Sequence, residues 1–258
     1  MEPQLSIAFV WLGLLLVAVI GYFVWLIRCS DYGLWESCLY LPTYLMGRLV
    51  WRVHFTNSPP KEIQGGAILV SNHRSSVDPF FVQLAARRRV HWMVAKEYCD
   101  HFVFGPILKA VQAIPTNRSG MDTASTKQAM QITRQGRLVG MFPEGRLNHT
   151  SDPLVPIRSG AALVAAKSQV PILPLFIEGS PYRRTVWSPL FIPGHVAITF
   201  GQPIYPPAQD AEPSVEREGE ERFSDSDAMI LEWGKQVVAM AGHPEFPVQL
   251  AAKRRRRN

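Results

Sequence analysis

Charge is scarce in this sequence: 19% of the 258 residues are Asp, Glu, Lys or Arg, against roughly 25% in a typical soluble domain. Cysteine is scarcer still. Cys29, Cys38 and Cys99 form no CxxC pair and no metal spacing, which excludes a disulfide framework and a cysteine-based zinc site. No GxSxG occurs, which weighs against an acyl-serine hydrolase with a nucleophile elbow. No internal repeat is visible, and no Lys or Arg precedes the first apolar run. What remains is a chain with 47% hydrophobic residues and a net charge of +6. It is long enough for one or at most two domains with a sizeable core. The positive balance suits an acidic partner: anionic lipid, a phosphate ester or nucleic acid.

From Leu5 to Ile27 there is neither a charge nor a proline. A helix of that length rises about 34 Å, enough to cross a bilayer core of about 30 Å. Trp11 lies within it, and Tyr22 and Trp25 near its end, where interfacial aromatics are expected. A cleaved signal peptide needs a positive leader and a shorter apolar stretch. This run therefore reads as a transmembrane anchor. Arg28, Arg48 and Arg52 follow the run, which predicts a single pass with the body facing the cytoplasm. The next apolar segment, Leu34 to Val53, contains Glu36, Pro42, Arg48 and Arg52 and makes a poor second span. Leu41, Tyr44, Leu45, Leu49 and Arg52 recur at helical steps. They fit an interfacial helix on the membrane or a helix packed into the core.

A turn-rich cluster, Asn57 to Gly66, comes next. Strands are then expected at 67–70, 90–95, 138–142, 172–177 and 196–200. Helices are expected at 78–87, 104–111, 123–135, 160–167 and 228–241, with Asp122 or Thr123 capping the third. Strands separated by helices predict an α/β fold, a central and largely parallel sheet flanked by helices. Asp210 to Asp227 holds eight acids and two arginines and reads as a solvated insertion. Lys253 to Arg257 is a basic tail.

Two strand-to-helix or strand-to-loop junctions carry chemistry. His73 and Asp78 stand five apart in Ser71-Asn72-His73-Arg74-Ser75-Ser76-Val77-Asp78. If the loop folds back, Asp78 can hold the imidazole in one tautomer while His73 takes a proton from a hydroxyl. Equally, Asp78 can cap the helix and His73 can be a structural loop residue. The second junction is Phe142-Pro143-Glu144-Gly145-Arg146. Glycine permits close backbone approach, and arginine grips phosphate or carboxylate in a fork. Arg118 closes Ile114-Pro115-Thr116-Asn117-Arg118, a cation at a sheet edge. The two prolines of Val170-Pro171-Ile172-Leu173-Pro174-Leu175 argue for an edge or irregular strand, but its apolarity favours a plain core strand. Arg87, Arg88, Arg89, Arg183 and Arg184 are candidates for headgroup contact or for an ordinary solvated face.

Together and in this order, Asn72 to Asp78, Gly105 to Arg118, Phe142 to Arg146 and Val170 to Pro174 resemble the four blocks of the 1-acyl-sn-glycerol-3-phosphate acyltransferases, the glycerolipid acyltransferase family. The resemblance covers roughly residues 68–203. Two departures stand out. After Phe142-Pro143-Glu144-Gly145 the common pattern is Thr-Arg-Ser, whereas here Arg146 comes one residue early. The lysine common before the helical glycine is replaced by Arg158 or Ser159.

The resemblance implies an acyl thioester, on coenzyme A or acyl carrier protein, attacked by the free hydroxyl of lysophosphatidic acid to give phosphatidic acid. His73 is then the general base, oriented by Asp78, and Arg118, Glu144, Gly145 and Arg146 arrange the acceptor. Since a carboxylate repels phosphate, Glu144 is expected to orient an arginine or a glycerol hydroxyl. No metal and no cofactor beyond the acyl-CoA or acyl-ACP co-substrate is expected, and membrane lipid is the expected environment. No specific nucleic acid partner is expected. The chain divides into an anchor (1–30), an interfacial helix and linker (31–60), a catalytic core (61–206) and an acidic linker with closing helix and basic tail (207–258). Competing readings are a hydrolase of the same geometry and a non-catalytic, membrane-bound polyanion-binding protein.

Overall fold

The computed structural model describes residues 2–29, 31–117, 122–182, 185, 187–207 and 225–252. Arg118, Arg183, Arg184, the acidic run from 210 to 224 and the basic tail lie outside them.

Two helices open the chain, α1 (Glu2–Cys29) and α2 (Leu34–Leu49). Seven strands follow: β1 (His54–Phe55), β2 (Ala67–Ser71), β3 (Val90–Ala95), β4 (Ile114–Thr116), β5 (Leu138–Met141), β6 (Ile172–Glu178) and β7 (Ala197–Phe200). Between and after them come α3 (Asp78–Ala86), α4 (Lys96–Cys99), α5 (Phe104–Ala110), α6 (Thr123–Arg134), α7 (Gly160–Ser168) and α8 (Asp225–Met240). The sheet order is β1-β7-β6-β2-β5-β3-β4, parallel throughout except between β6 and β7. The predicted α/β sheet is therefore present, and most element boundaries fall within a residue or two of the sequence pattern.

Both faces of the sheet are covered, which is why its central strands run apolar through their length, up to Ser71 and Glu178 at their ends, instead of alternating. Leu69, Leu138, Leu173 and Leu175 pack on one side with Phe81, Val82 and Leu84 of α3. Ile68, Val70, Val139 and Ile172 pack on the other with α7 and α8. Trp233 of α8 is fully buried there, and its indole N–H donates to the Val70 carbonyl at 2.9 Å. That bond satisfies the one polar atom of a large apolar side chain and fastens α8 to the central strand.

The strand with two prolines is a core strand, as its apolarity predicts: β6 lies between β7 and β2. Pairing with β7 begins at Leu175, and the Pro174 carbonyl accepts the Gly201 N–H at 2.9 Å. Pro174 thus sits at the end of that ladder, where the donor it lacks costs little. The second apolar segment ends as a helix at Leu49, and Arg52 leaves it with φ 45°. One face of α2 packs into the core and the other is left exposed. Ser37, Tyr40 and Gly47 are buried, Gly47 against Leu84 of α3, while Leu34, Trp35, Leu45 and Leu49 are exposed. Finally, Arg88 donates to the carbonyls of Ile63, Gly65 and Gly136, and Arg89 pairs with Glu36 at 2.7 Å. These two arginines tie segments of the protein together rather than facing lipid.

The apolar stretch Ile7–Trp25 within α1 is long enough to cross a membrane, and none of it is buried in protein. Asp225 and Asp227, at the end of the acidic run, form the first turn of α8, where carboxylates favour the helix dipole.

Candidate active site

Ligands of open α/β sheets gather at the carboxyl ends of the strands. Here β2 and β5 are neighbours, so the loops that leave them meet. The β2 loop carries His73 into α3, and the β5 loop carries Phe142 to Arg146.

The β2 loop folds back on the first residue of α3. Asp78 is fully buried, and its two carboxylate oxygens accept four donors. Oδ2 takes the N–H groups of Arg74 and Ser75, each at 2.7 Å, and lies 3.1 Å from His73 Nδ1. Oδ1 takes the Ser180 hydroxyl at 2.6 Å. A buried carboxylate needs such partners, because an unpaired one costs several kcal/mol. Asp78 is therefore the first residue of α3 and not its cap, since Val77 stands at the N-cap without a side-chain bond; its carboxylate holds the preceding loop and the imidazole. With Nδ1 turned to a carboxylate, Nε2 is the nitrogen left for chemistry. The His73 side chain keeps 18% exposure.

Asn72 sets the loop's exit from the sheet. Its side-chain amide donates to the Ile177 carbonyl at 2.9 Å and accepts the Ile177 N–H at 2.8 Å. It thus replaces a strand neighbour with a side chain at the end of the β2–β6 ladder.

Glu144 reaches across from the β5 loop. It is 4% exposed. Oε1 accepts the His73 N–H at 2.7 Å and Oε2 the Val155 N–H at 3.3 Å. The expectation that Glu144 orients an arginine or a glycerol hydroxyl gives way to this arrangement, because both oxygens are engaged by backbone. Burial raises its pKa to about 7, against the two N–H donors and the nearby Arg74 charge, which lower it. The loop is closed from the other side too: Asn148 N–H donates to the His73 carbonyl at 2.7 Å.

Gly145 has φ +65°, which favours glycine. Arg158 lies over it, its Nε 3.7 Å from where a Cβ would stand. Arg146 follows, exposed and without a hydrogen-bond or ion-pair partner among the described residues. Arg118 lies outside the described residues. Beside the site, Arg74, Asn148, His149, Ser180 and Tyr182 line an open pocket.

Sequence reasoning missed one feature of consequence. The His73 ring stacks on Phe142 at 3.8 Å and 10°, and Phe142 stacks on Trp92 at 4.8 Å and 12°. Gly140, two residues before Phe142 and paired with Trp92, has no Cβ; one would stand 2.7 Å from the Trp92 ring. The signal available was that glycine inside an apolar strand, which marks a close approach. Ser180 left no such signal, since it is 102 residues from the Asp78 that it serves.

Residues 51–178 match the model of the Acyltransferase family. A 1-acyl-sn-glycerol-3-phosphate acyltransferase of Bacillus subtilis is 27% identical over 141 residues, 54% of this chain and 67% of the relative. One from Streptococcus pneumoniae is 28% identical over 173 residues, covering 63% and 62%. The alignments with these and a probable 1-acyl-sn-glycerol-3-phosphate acyltransferase of Mycoplasma pneumoniae, 32% identical, span about half to two thirds of the relatives' length. Among solved structures, the 1-acyl-sn-glycerophosphate (LPA) acyltransferase PlsC from Thermotoga maritima superposes with a TM-score of 0.56 at 16% identity, over 88% of this chain and 92% of that one. This likeness extends the shared fold to elements on both sides of the matched domain. The chain carries a domain of the Acyltransferase family, which runs from the end of α2 to the end of β6.

Proposed function

We propose that the protein transfers a fatty acyl group from an acyl thioester to the free hydroxyl of lysophosphatidic acid at a membrane surface. The thioester is carried by coenzyme A or acyl carrier protein. The observation that carries the reading is the imidazole of His73, held through Nδ1 by fully buried Asp78 with Nε2 left free.

In this mechanism Nε2 takes the hydroxyl proton as the oxygen attacks the thioester carbonyl, and a tetrahedral oxyanion forms. Asp78 stabilises the imidazolium that results. Collapse breaks the C–S bond, and the imidazolium returns its proton to the departing sulfur. General base action of this kind contributes about 10²–10⁴-fold. The Phe142–Trp92 stack fixes the plane of the ring, and Glu144 fixes the backbone from which it hangs. Arg146, exposed and unpaired, binds the acceptor phosphate together with Arg118, and Gly145 lets the backbone approach it.

The apolar α1 anchors the chain in a single pass with the domain on the cytoplasmic side, given Arg28, Arg48 and Arg52 after the span. Acceptor and product dissolve in the bilayer while the thiol leaves into water, so a domain held at the surface meets both. The test is a head-to-head assay of lysolipid acceptors with labelled acyl-CoA and acyl-ACP in membranes, read by lipid mass spectrometry. Phosphatidic acid formation from lysophosphatidic acid is expected to dominate. Acylation of another lysolipid alone, or release of free fatty acid alone, rejects the assignment.

A further inference from the structure

We propose that a rim of exposed aromatic residues on the domain, centred on Phe102 and Phe191, docks into the headgroup region of the bilayer and turns the mouth of the site toward lipid. The proposal rests on the membrane anchoring argued above and adds a second, independent contact.

Topology places the rim. α4 and α5 leave the carboxyl end of β3, and residues 179–191 leave the carboxyl end of β6. This is the sheet edge from which His73 and Glu144 leave β2 and β5. Because β7 runs antiparallel to β6 and β1 runs with β7, the chain between α2 and β1 also arrives at this edge. Three contacts join these pieces. Phe104 of α5 stacks on Trp187 at 4.7 Å. Trp51 donates its indole N–H to the Pro189 carbonyl at 3.0 Å. Gly194 N–H donates to the Val50 carbonyl at 3.0 Å. The aromatic segments are thereby fixed to the end of α2, which itself packs on α1.

On this edge Phe102 is 85% exposed, Phe191 81% and Leu49 74%. Single exposed apolar residues are ordinary, but a cluster on adjoining segments marks an interaction site. The occupant follows from continuity: the cluster adjoins an exposed apolar helix long enough to span a bilayer. Its chemistry agrees, since Phe and Leu side chains presented beside cations bury at the headgroup–acyl boundary. Arg48, exposed in the last turn of α2, can extend a cation to anionic headgroups.

The test uses the full chain in vesicles of phosphatidylcholine and phosphatidylglycerol, with Cys29, Cys38 and Cys99 changed to serine. Single cysteines replace Phe102, Phe191, Val17 or Gln135, each carrying an environment-sensitive fluorophore. Gln135 is exposed before β5, at the opposite sheet edge. Doxyl-labelled lipids report depth. Labels at Phe102 and Phe191 should show blue-shifted emission and be quenched more by shallow than by deep doxyl groups. The Val17 label should be quenched more by deep ones and the Gln135 label by neither. A quenched Val17 label with unquenched labels at Phe102 and Phe191 overturns the rim alone. Blue-shifted emission there without doxyl quenching also overturns it, since protein rather than lipid then covers the surface. An unquenched Val17 label overturns the anchor as well.

Discussion

Glu144 offers a test of whether the site is built around a buried, backbone-bound carboxyl. Its pKa is about 7 in the folded protein, against the ordinary 4.5. Because the folded value is the higher, the folded state binds more protons than the unfolded state between these two values. Stability from this group is therefore fully present at low pH and declines as pH rises through that window. Between pH 5 and 8 the loss is about 2.5 kcal/mol. Glu144→Gln removes the ionisation. It keeps one acceptor oxygen for the His73 N–H at 2.7 Å but turns an amide against the Val155 N–H at 3.3 Å. That unsatisfied donor costs about 1–3 kcal/mol at every pH. The variant should therefore be clearly less stable than the parent at pH 5 and close to it at pH 8. At about 2–4 °C per kcal/mol for a chain of this size, the gap in Tm should narrow by about 5–10 °C across the range. Thermal melts of the detergent-solubilised proteins at pH 5, 6, 7 and 8 measure it. Parallel curves, with a constant difference in Tm, would refute the burial-driven shift.

Three further outcomes are expected. Asp78→Asn keeps an oxygen for the loop N–H groups but loses the charge facing His73, so turnover should fall about 10- to 100-fold with the fold intact by circular dichroism. Phe142→Leu removes the ring beneath the imidazole; kcat should drop roughly three- to tenfold with little change in either KM, in steady-state assays. Arg146→Ala should raise the KM for the phosphate-bearing acceptor about 10- to 100-fold and leave the thioester KM unmoved; a rise in the thioester KM instead reassigns the arginine to the donor.

Much of this architecture is legible in the sequence for simple reasons. Continuous apolar strands such as Ile172–Ile177 and helices with punctuated ends such as Asp122–Arg134 are local signals, since period, caps and turn residues lie within one window. His73 and Asp78 are five residues apart, so their pairing too is nearly local. What stays hidden is whatever depends on packing. Apolarity marks the strand of Pro174 as core, but how its missing donor is accommodated depends on where the β7 ladder ends, which no local window contains. Arg88 and Arg89 read as surface charges because their carbonyl and carboxylate partners come from distant segments. Glu144 looks free to meet substrate until the loop from β2 brings the His73 N–H against it, across 71 residues. The aromatic stack depends on Gly140 standing beside Trp92 in the neighbouring strand, a register no single-strand pattern contains.

The central claim is that His73 Nε2 moves the proton in acyl transfer. The most direct measurement compares His73→Ala with the parent, both in membranes, using labelled acyl-CoA and lysophosphatidic acid and following phosphatidic acid. Acyl transfer should be lost in the variant, while resistance to carbonate extraction and the thermal transition are retained. Near-normal turnover in a well-folded, membrane-inserted His73→Ala protein would contradict it.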